Sequence, residues 1–150
     1  MPTVAEQIDI AAAPERVFAL LAAPERTPEW TPGVLEVERA AADGQSQDQE
    51  TRVLVEVAGR KTRGSARYLE SEPPRLLVLQ TSLDIGVTST TRFELAARDS
   101  GTRLSARVEF SLPSGGLGLL GGLLGGRLAR GQLRAALGNL KRLVEAAPPA

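Results

Sequence analysis

Apolar and polar residues alternate through the middle of the chain, from about residue 34 to residue 112. In the segment 102–112, every second residue from Leu104 to Leu112 is apolar, and the residues between them are charged or carry a hydroxyl group. This period of two is typical of a strand with one face towards a core and the other towards water. Together with the apolar spacing near the N-terminus, it predicts strands at 4–10, 34–41, 51–57, 61–70, 75–83, 87–97 and 102–112.

Two short helices are predicted between the first and second strands, at 14–22 and 24–30. Each begins with a proline followed by a glutamate, which suits the first turn of a helix because no N–H is needed there and the acidic group lies at the positive helix end. The segment 115–146 is predicted to be a long helix that covers the sheet. Because strands and helices do not alternate, we expect one α+β domain over 1–150 rather than a doubly wound parallel sheet.

The first half of the C-terminal helix is predicted to be weak. Six glycines lie between Gly115 and Gly125, and each costs up to about 1 kcal/mol relative to alanine inside a helix. The second half, 127–145, has the pattern of an ordinary amphipathic helix. On an ideal helix, the leucines of the first half lie almost opposite the apolar face of the second half. One straight helix therefore cannot direct the leucines of its first half and the apolar face of its second half to the same sheet.

Three interpretations of the segment 115–126 remain open. The helix breaks or kinks near residues 125–126, the segment forms a lid over a cavity, or its leucines contact another subunit or a membrane surface. The contact interpretation includes a homodimer formed through Leu117, Leu120 and Leu124.

The composition excludes several classes of site. Lys plus Arg and Asp plus Glu number 18 each, and aromatic residues make up only 3% of the chain. Neither value is typical of a nucleic-acid-binding protein, so no nucleic-acid partner is expected. The chain contains no Cys and no His, which excludes disulfides, Cys/His zinc sites and imidazole bases. We expect neither a metal nor a cofactor.

The sequence also predicts the compartment. The first residues lack the basic and apolar regions of a signal peptide. The glycine- and leucine-rich segment 115–126 is too short to span a bilayer, which needs about 20 residues. We therefore expect a cytoplasmic protein with no integral membrane segment.

Three stretches of the chain carry a family resemblance. The segment 8–21 reads IDIAAAPERVFALL and is followed by Pro24, Glu25, Trp30, Pro32 and Val34, and the chain later contains EPPRL at 72–76 and LKRLVE at 140–145. Together these stretches resemble the START-like (SRPBCC) superfamily, most closely its polyketide cyclase/dehydrase branch, over nearly the whole chain. The resemblance implies a helix-grip fold, in which a curved antiparallel sheet of about seven strands surrounds the C-terminal helix and two short helices follow the first strand.

The resemblance further implies an apolar cavity between the sheet and the helix. Superfamily members receive lipids, polyketides, quinones, hormones or other hydrophobic molecules, and they include carriers, aromatase/cyclases and proteins that bind other proteins. We expect binding or transport of a hydrophobic small molecule, with no catalytic residues assigned. One alternative is a polyketide cyclase/dehydratase-like enzyme, which predicts a buried polar cluster with a perturbed pKa near Tyr68, Ser89 or Thr91. The other is a protein-interaction module without ligand, which predicts a filled cavity.

The wall of this cavity is predicted from side chains on inner faces. Polar residues interrupt the apparently inward strand faces, at Thr51 and Gln80 for example, and hydroxyl groups are readily buried because they can form local hydrogen bonds. Glu56 and Arg67 are predicted on the outer face. The predicted ligand-binding residues are Phe18, Trp30, Val53, Val55, Tyr68, Ser89, Thr91, Phe93, Val108, Phe110, Leu133 and Leu137.

Overall fold

Seven antiparallel strands form one sheet, and a long C-terminal helix lies against one of its faces. The structure is a computed structural model that describes residues 3–39, 50–57, 59–111 and 116–146, with the side chains of all these residues except 39 and 116–128. In chain order the elements are β1 (Thr3–Ile10), α1 (Pro14–Leu21), a 3-10 turn (Pro24–Arg26), α2 (Thr27–Trp30), β2 (Val34–Arg39), β3 (Thr51–Val57), β4 (Arg60–Glu72), β5 (Leu76–Leu83), β6 (Thr88–Arg98), β7 (Gly101–Ser111) and α3 (Gly116–Ala146).

The strand order across the sheet is β1-β7-β6-β5-β4-β3-β2. Strands β2 to β7 therefore follow one another as hairpins, and β1 pairs with β7 at the far edge. This order, with two short helical segments after β1 and one long helix at the end, confirms the predicted α+β helix-grip fold. Within the part of the chain that the structure describes, no helix has both the length and the apolar character required to cross a bilayer.

Prolines set two boundaries that differ from the predicted ones. The segment 24–30 was expected to be one helix, but Pro28 lacks the N–H that would bond to the Pro24 carbonyl in an α-helix. The Thr27 N–H bonds to that carbonyl instead, which makes a 3-10 turn before α2. Strand β4 continues beyond the predicted residue 70 and ends at Glu72, where Pro73 begins a turn.

Hydrogen bonds of α3 side chains with β1 and with Ala11, the residue after it, show the direction of α3. Arg134 Nε donates to Glu6 Oε1 at 2.8 Å, and the Ala11 N–H donates to Glu145 Oε2 at 2.8 Å. Residue numbers rise together along the two elements, so α3 runs beside β1 in the same direction. The inner face of the sheet, defined here as the face towards α3, is covered by the helix on the β1 side.

The helix α3 is continuous from Gly116 to Ala146. A break near Gly125 and Gly126 is therefore wrong, because the helix continues through the glycines. A kink within the continuous helix stays a prediction. The lid and contact interpretations depend on the side chains of 116–128, including those of Leu117, Leu120 and Leu124, and these lie outside the described residues. A homodimer through these leucines stays a prediction.

The core occupies one end of the space under α3, where α1 packs between the helix and the sheet. The apolar face predicted for the second half of α3 is directed into it, with Leu140 and Leu137 at 0% and 2% exposure. Thr102 is buried among these side chains, and its Oγ1 donates to the Ala12 carbonyl oxygen at 2.7 Å. The most deeply buried large side chains are Ile10, Val17, Leu77, Thr102, Leu104, Leu137 and Leu140.

Candidate functional site

An open cavity of about 460 Å³ lies between the inner face of the sheet and α3. Three parts of the chain enclose it: the inner faces of the strands, the segment between α1 and β2, and one face of α3. The strand wall includes Val37, Thr51, Val53, Val55, Ala66, Tyr68, Leu79, Thr81, Leu83, Ser89, Thr91, Phe93, Val108 and Phe110.

A row of small and mostly hydroxyl-bearing side chains crosses this wall. In register, Thr51 lies opposite Ala66 and Ala66 opposite Thr81, and the row continues through Ser89 to Phe110. Neighbouring strands are about 4.8 Å apart, so these five positions span about 19 Å. Thr51 Oγ1 donates to the Ala66 carbonyl oxygen at 3.3 Å. Because the side chains at four of the five positions are Thr, Ala or Ser, the sheet leaves space above them.

Two further rows of side chains flank the row from Thr51 to Phe110 on the inner face of the sheet. One contains larger groups, and the other is purely apolar. Tyr68 lies opposite Leu79, which lies opposite Thr91. On the other side, Gly64 lies between Val53 and Leu83 in register. A Cβ atom at Gly64 would approach the Ser82 carbonyl oxygen to 2.3 Å, so only glycine allows the strands to come this close.

Trp30 and α3 close the cavity opposite the sheet. The Trp30 ring meets Phe93 edge to face, with centroids 6.3 Å apart and planes at 70°, the geometry that aromatic pairs favour. Asn139 Nδ2 of α3 donates to the Trp30 carbonyl oxygen at 3.2 Å. The helix contributes Ala129, Gln132, Leu133 and Ala136 to the wall. Trp30 thus links α2, the sheet and α3 at one corner of the cavity.

The sequence matches one family model over residues 1–145, that of the family described as polyketide cyclase / dehydrase and lipid transport. The chain belongs to this family. The resemblance predicted from the sequence is thereby confirmed. A comparison with curated proteins finds no match.

Solved structures share the fold of this family member over almost its whole length. A protein of Thermus thermophilus aligns with a TM-score of 0.83 at 21% identity, covering 99% of this chain and 100% of that chain. The Zhui aromatase/cyclase of a Streptomyces species aligns with a TM-score of 0.72 at 21% identity, covering 99% and 98%. A START superfamily protein of Mycobacterium smegmatis aligns with a TM-score of 0.71 at 20% identity, covering 95% and 97%. At these identities the likeness shows the fold alone.

Most of the predicted ligand-binding residues of this family member border the cavity. They are Trp30, Val53, Val55, Tyr68, Ser89, Thr91, Phe93, Val108, Phe110 and Leu133. Phe18 and Leu137 do not border it. Both belong to the hydrophobic core, where they are 7% and 2% exposed, because α1 and the later turns of α3 face the filled end of the sheet.

One polar wall position was predicted one residue too early. Gln80 lies on the outer face, beside Ser65, Arg67 and Ser82, whereas Thr81 borders the cavity. The neighbouring run from Leu76 to Leu79 is apolar throughout and so gives no alternation from which the face could be chosen. Sequence reasoning also missed Thr27, Thr31 and Gln132, which carry no distinguishing pattern.

Charged groups lie at the border of the cavity rather than inside it. Among the described residues that line it, the ionised side chains are Glu56 and Arg67, and both are exposed. The carboxylates with a lowered pKa belong to surface ion pairs outside the cavity. Hydrogen bonding to Arg26 lowers the pKa of Glu29, and hydrogen bonding to Arg103 lowers the pKa of Asp9. No group of three or more acidic residues that could hold a metal ion occurs in the described ranges.

Proposed function

We propose that the protein binds a hydrophobic small molecule in this cavity and holds it as a carrier does. The observation that supports the proposal most directly is the open cavity of about 460 Å³ between sheet and helix. Ligand pockets typically measure about 300–1,000 Å³ and are mostly apolar with a few placed polar groups. The family description, which includes lipid transport as well as polyketide cyclisation, is consistent with this function.

Burial of apolar surface supplies the affinity. Each Å² of apolar ligand surface removed from water contributes about 25 cal/mol, and aliphatic or aromatic groups cover most of the wall. The row from Thr51 to Phe110 orients the ligand, because the hydroxyl groups of Thr81 and Ser89 can each donate or accept a hydrogen bond. A ligand with an apolar body and a few oxygen atoms fits this combination better than a pure hydrocarbon.

Binding is favoured over the two alternatives for specific reasons. The enzyme alternative predicts a buried polar cluster with a perturbed pKa near Tyr68, Ser89 or Thr91. These three residues border the cavity, but the charged side chains described at its border, Glu56 and Arg67, are exposed to water rather than buried beside them. The interaction-module alternative predicts a filled cavity, and the cavity is open. A chemical step that uses only pocket shape and ordered water would still require the same bound ligand.

Native mass spectrometry after exposure to lipid extracts tests the proposal. We expect the wild-type protein to retain a species of defined mass. Ser89→Phe places a large ring in the cavity and is expected to reduce retention at least tenfold, whereas Thr90→Phe places the same ring on the outer face of the same strand and should leave retention unchanged. Circular dichroism establishes that both variants are folded. If the wild-type protein retains nothing from diverse extracts, the proposal is wrong.

A further inference from the structure

Three hydroxyl-bearing residues lie side by side on the inner face of the sheet, in the wall of the cavity. Thr81 of β5 lies opposite Ser89 of β6 in register, and Thr91 follows two residues after Ser89 on the same face. Directly opposed side chains have Cβ atoms about 5 Å apart, and every second residue along a strand is about 7 Å from the last. All three residues are half-buried and border the cavity.

These three hydroxyl groups have no hydrogen-bond partner among the described residues, and none of them is enclosed by the protein. Two buried threonines of the same sheet face differ from them in both respects. Thr51 Oγ1 donates to the Ala66 carbonyl oxygen at 3.3 Å, and Thr102 Oγ1 donates to the Ala12 carbonyl oxygen at 2.7 Å. The hydroxyl groups at the cavity are therefore both reachable by a ligand and free to bond to it.

We propose that Thr81, Ser89 and Thr91 form a subsite for uncharged oxygen groups of the ligand. The protein then selects a neutral ketone, ester or alcohol over an ionised carboxylate with the same skeleton. This inference rests on the proposed function and specifies the class of ligand. A hydroxyl group can both donate and accept a hydrogen bond, so the subsite can meet either a carbonyl oxygen or a hydroxyl group of the ligand.

The charges of the strands around the cavity disfavour an ionised carboxylate. A buried charge needs an opposite charge as its partner. Among the described residues that line the cavity, the charged ones are Glu56, which would repel an anion, and Arg67. Arg67 lies in register with Gln80 on the outer face of the sheet, so its side chain lies on the opposite face from the three hydroxyl groups.

The cations described on the neighbouring turns of α3 are already paired. Arg130 and Arg134 approach Glu6 of β1 with N–O distances of 3.9 and 2.8 Å. An anion in the cavity would have to compete with this carboxylate for them. A neutral carbonyl group needs no such partner, because hydrogen bonds from hydroxyl groups replace those it makes to water.

Four compounds with one aromatic skeleton test the proposal: naphthalene, 2-acetylnaphthalene, 2-naphthoate and its methyl ester. The ketone and the carboxylate have nearly the same shape and differ mainly in charge, and the ester is neutral again. Isothermal titration calorimetry at neutral pH measures the affinities. We expect the ketone and the ester to bind about three- to tenfold more tightly than naphthalene. The carboxylate should bind at least about tenfold more weakly than the ketone.

Variants assign the preference to the hydroxyl groups. The triple variant Thr81→Val, Ser89→Ala, Thr91→Val removes all three and nearly keeps the shape of the wall. It should bind naphthalene at least as tightly as the wild-type protein and lose the three- to tenfold preference for the ketone. Thr90→Val makes the same change on the outer face of β6, opposite Gln80 in register, and should retain the preference. Circular dichroism establishes that both variants are folded.

The outcomes separate this inference from the function on which it rests. Equal affinities of wild-type protein for the ketone and the carboxylate would overturn the subsite and leave hydrophobic binding intact, and this comparison holds even if the triple variant fails to fold. A triple variant that keeps the preference, or a free fatty acid as the species retained from lipid extracts, would do the same. Absence of binding by all four compounds would overturn the subsite, and together with no retained species it would overturn the proposed function as well.

Discussion

The space between sheet and helix has a filled end, where α1 packs between them, and an open end beside the segment that joins α1 to β2. At the filled end, Val17 of α1, Leu104 of β7 and Leu140 of α3 meet with no exposure to solvent. At the open end, the strands present Thr81 and Ser89 to the cavity. The position of α1 at the filled end and the small side chains of the strands at the open end together decide where the cavity lies.

The side chains that α3 directs towards the sheet also change between the two ends. Its later turns carry Leu137, Leu140 and Val144 into the core, while its earlier described turns place Ala129, Gln132 and Ala136 at the cavity. Close packing leaves almost no voids in protein interiors, so an open space of about 460 Å³ reduces stability relative to a filled one. A ligand of the proposed kind would fill this space.

The largest expected effect comes from shortening one α3 leucine at the filled end of the space and one at its open end. Leu140→Ala creates a new enclosed void in a packed region and should lower the free energy of unfolding by about 4 kcal/mol. Leu133→Ala enlarges a cavity that already exists, so the loss should be closer to about 2 kcal/mol, mainly the transfer term. Urea denaturation followed by circular dichroism measures both values. Equal losses would show that the two ends are packed alike and would contradict the comparison.

A smaller difference is expected for the same threonine substitution at the two ends. Thr102→Val removes the hydroxyl that donates to the Ala12 carbonyl oxygen at 2.7 Å and leaves a buried acceptor unpaired, at a cost of about 2 kcal/mol. Thr81→Val changes a half-buried wall residue of the cavity and should alter stability by less than about 0.5 kcal/mol. Denaturation midpoints of the two variants provide the comparison. A loss at Thr81 as large as that at Thr102 would count against it.

The order of elements could be predicted because it depends on local signals. Alternation in 102–112 identified β7, and its inward residues Val108 and Phe110 border the cavity. Most strand-wall positions could be predicted for the same reason, since a period of two assigns every second residue to one face of the sheet. Where the alternation is clear, the wall of the site follows from the sequence with the fold.

Alternation fails where tertiary contacts bury both faces of a strand. Val78 lies on the outer face, yet it is 6% exposed. It lies between Glu70 and Arg92 in register, and these two side chains pair across it at 3.7 Å. Because β5 has buried apolar residues on both faces, its sequence shows no alternation of apolar and polar residues. Gln80 was therefore predicted on the inner face of the sheet, although it lies on the outer face.

The division into a filled and an open end could not be predicted from the sequence. Phe18 and Leu137 have the same apolar character as true wall residues, and only the position of α1 between sheet and helix assigns them to the core. Likewise, the sequence does not show that Trp30 Nε1 and Thr31 Oγ1 are buried without a hydrogen-bond partner among the described residues. This depends on which acceptors the rest of the fold brings near.

The smallest effect is expected from pH, at the filled end where the last turn of α3 meets the end of β1. Glu145 Oε2 accepts hydrogen bonds from the Ala11 N–H at 2.8 Å and from Lys141 Nζ at 2.6 Å. The backbone hydrogen bond first, and then the Lys141 side chain, hold the pKa of Glu145 below its ordinary value of 4.5. The unfolded chain therefore takes up more protons than the folded chain between these two pKa values.

This contribution to stability is complete above about pH 4.5 and is lost as the pH falls through the pKa of the folded protein. Glu145→Gln retains an oxygen that can accept from Ala11 but does not titrate, so the fall in stability between about pH 7 and about pH 3.5 should be shallower in this variant. The pKa of Asp9 is lowered by its hydrogen bond to Arg103, so Asp9→Asn should act in the same direction and the double variant should be shallower still. Urea midpoints at the two pH values measure the slope. Because Glu145 does not border the cavity, ligand retention by Glu145→Gln at neutral pH should equal that of the wild-type protein, and a loss of retention would show that the two ends are coupled through α3.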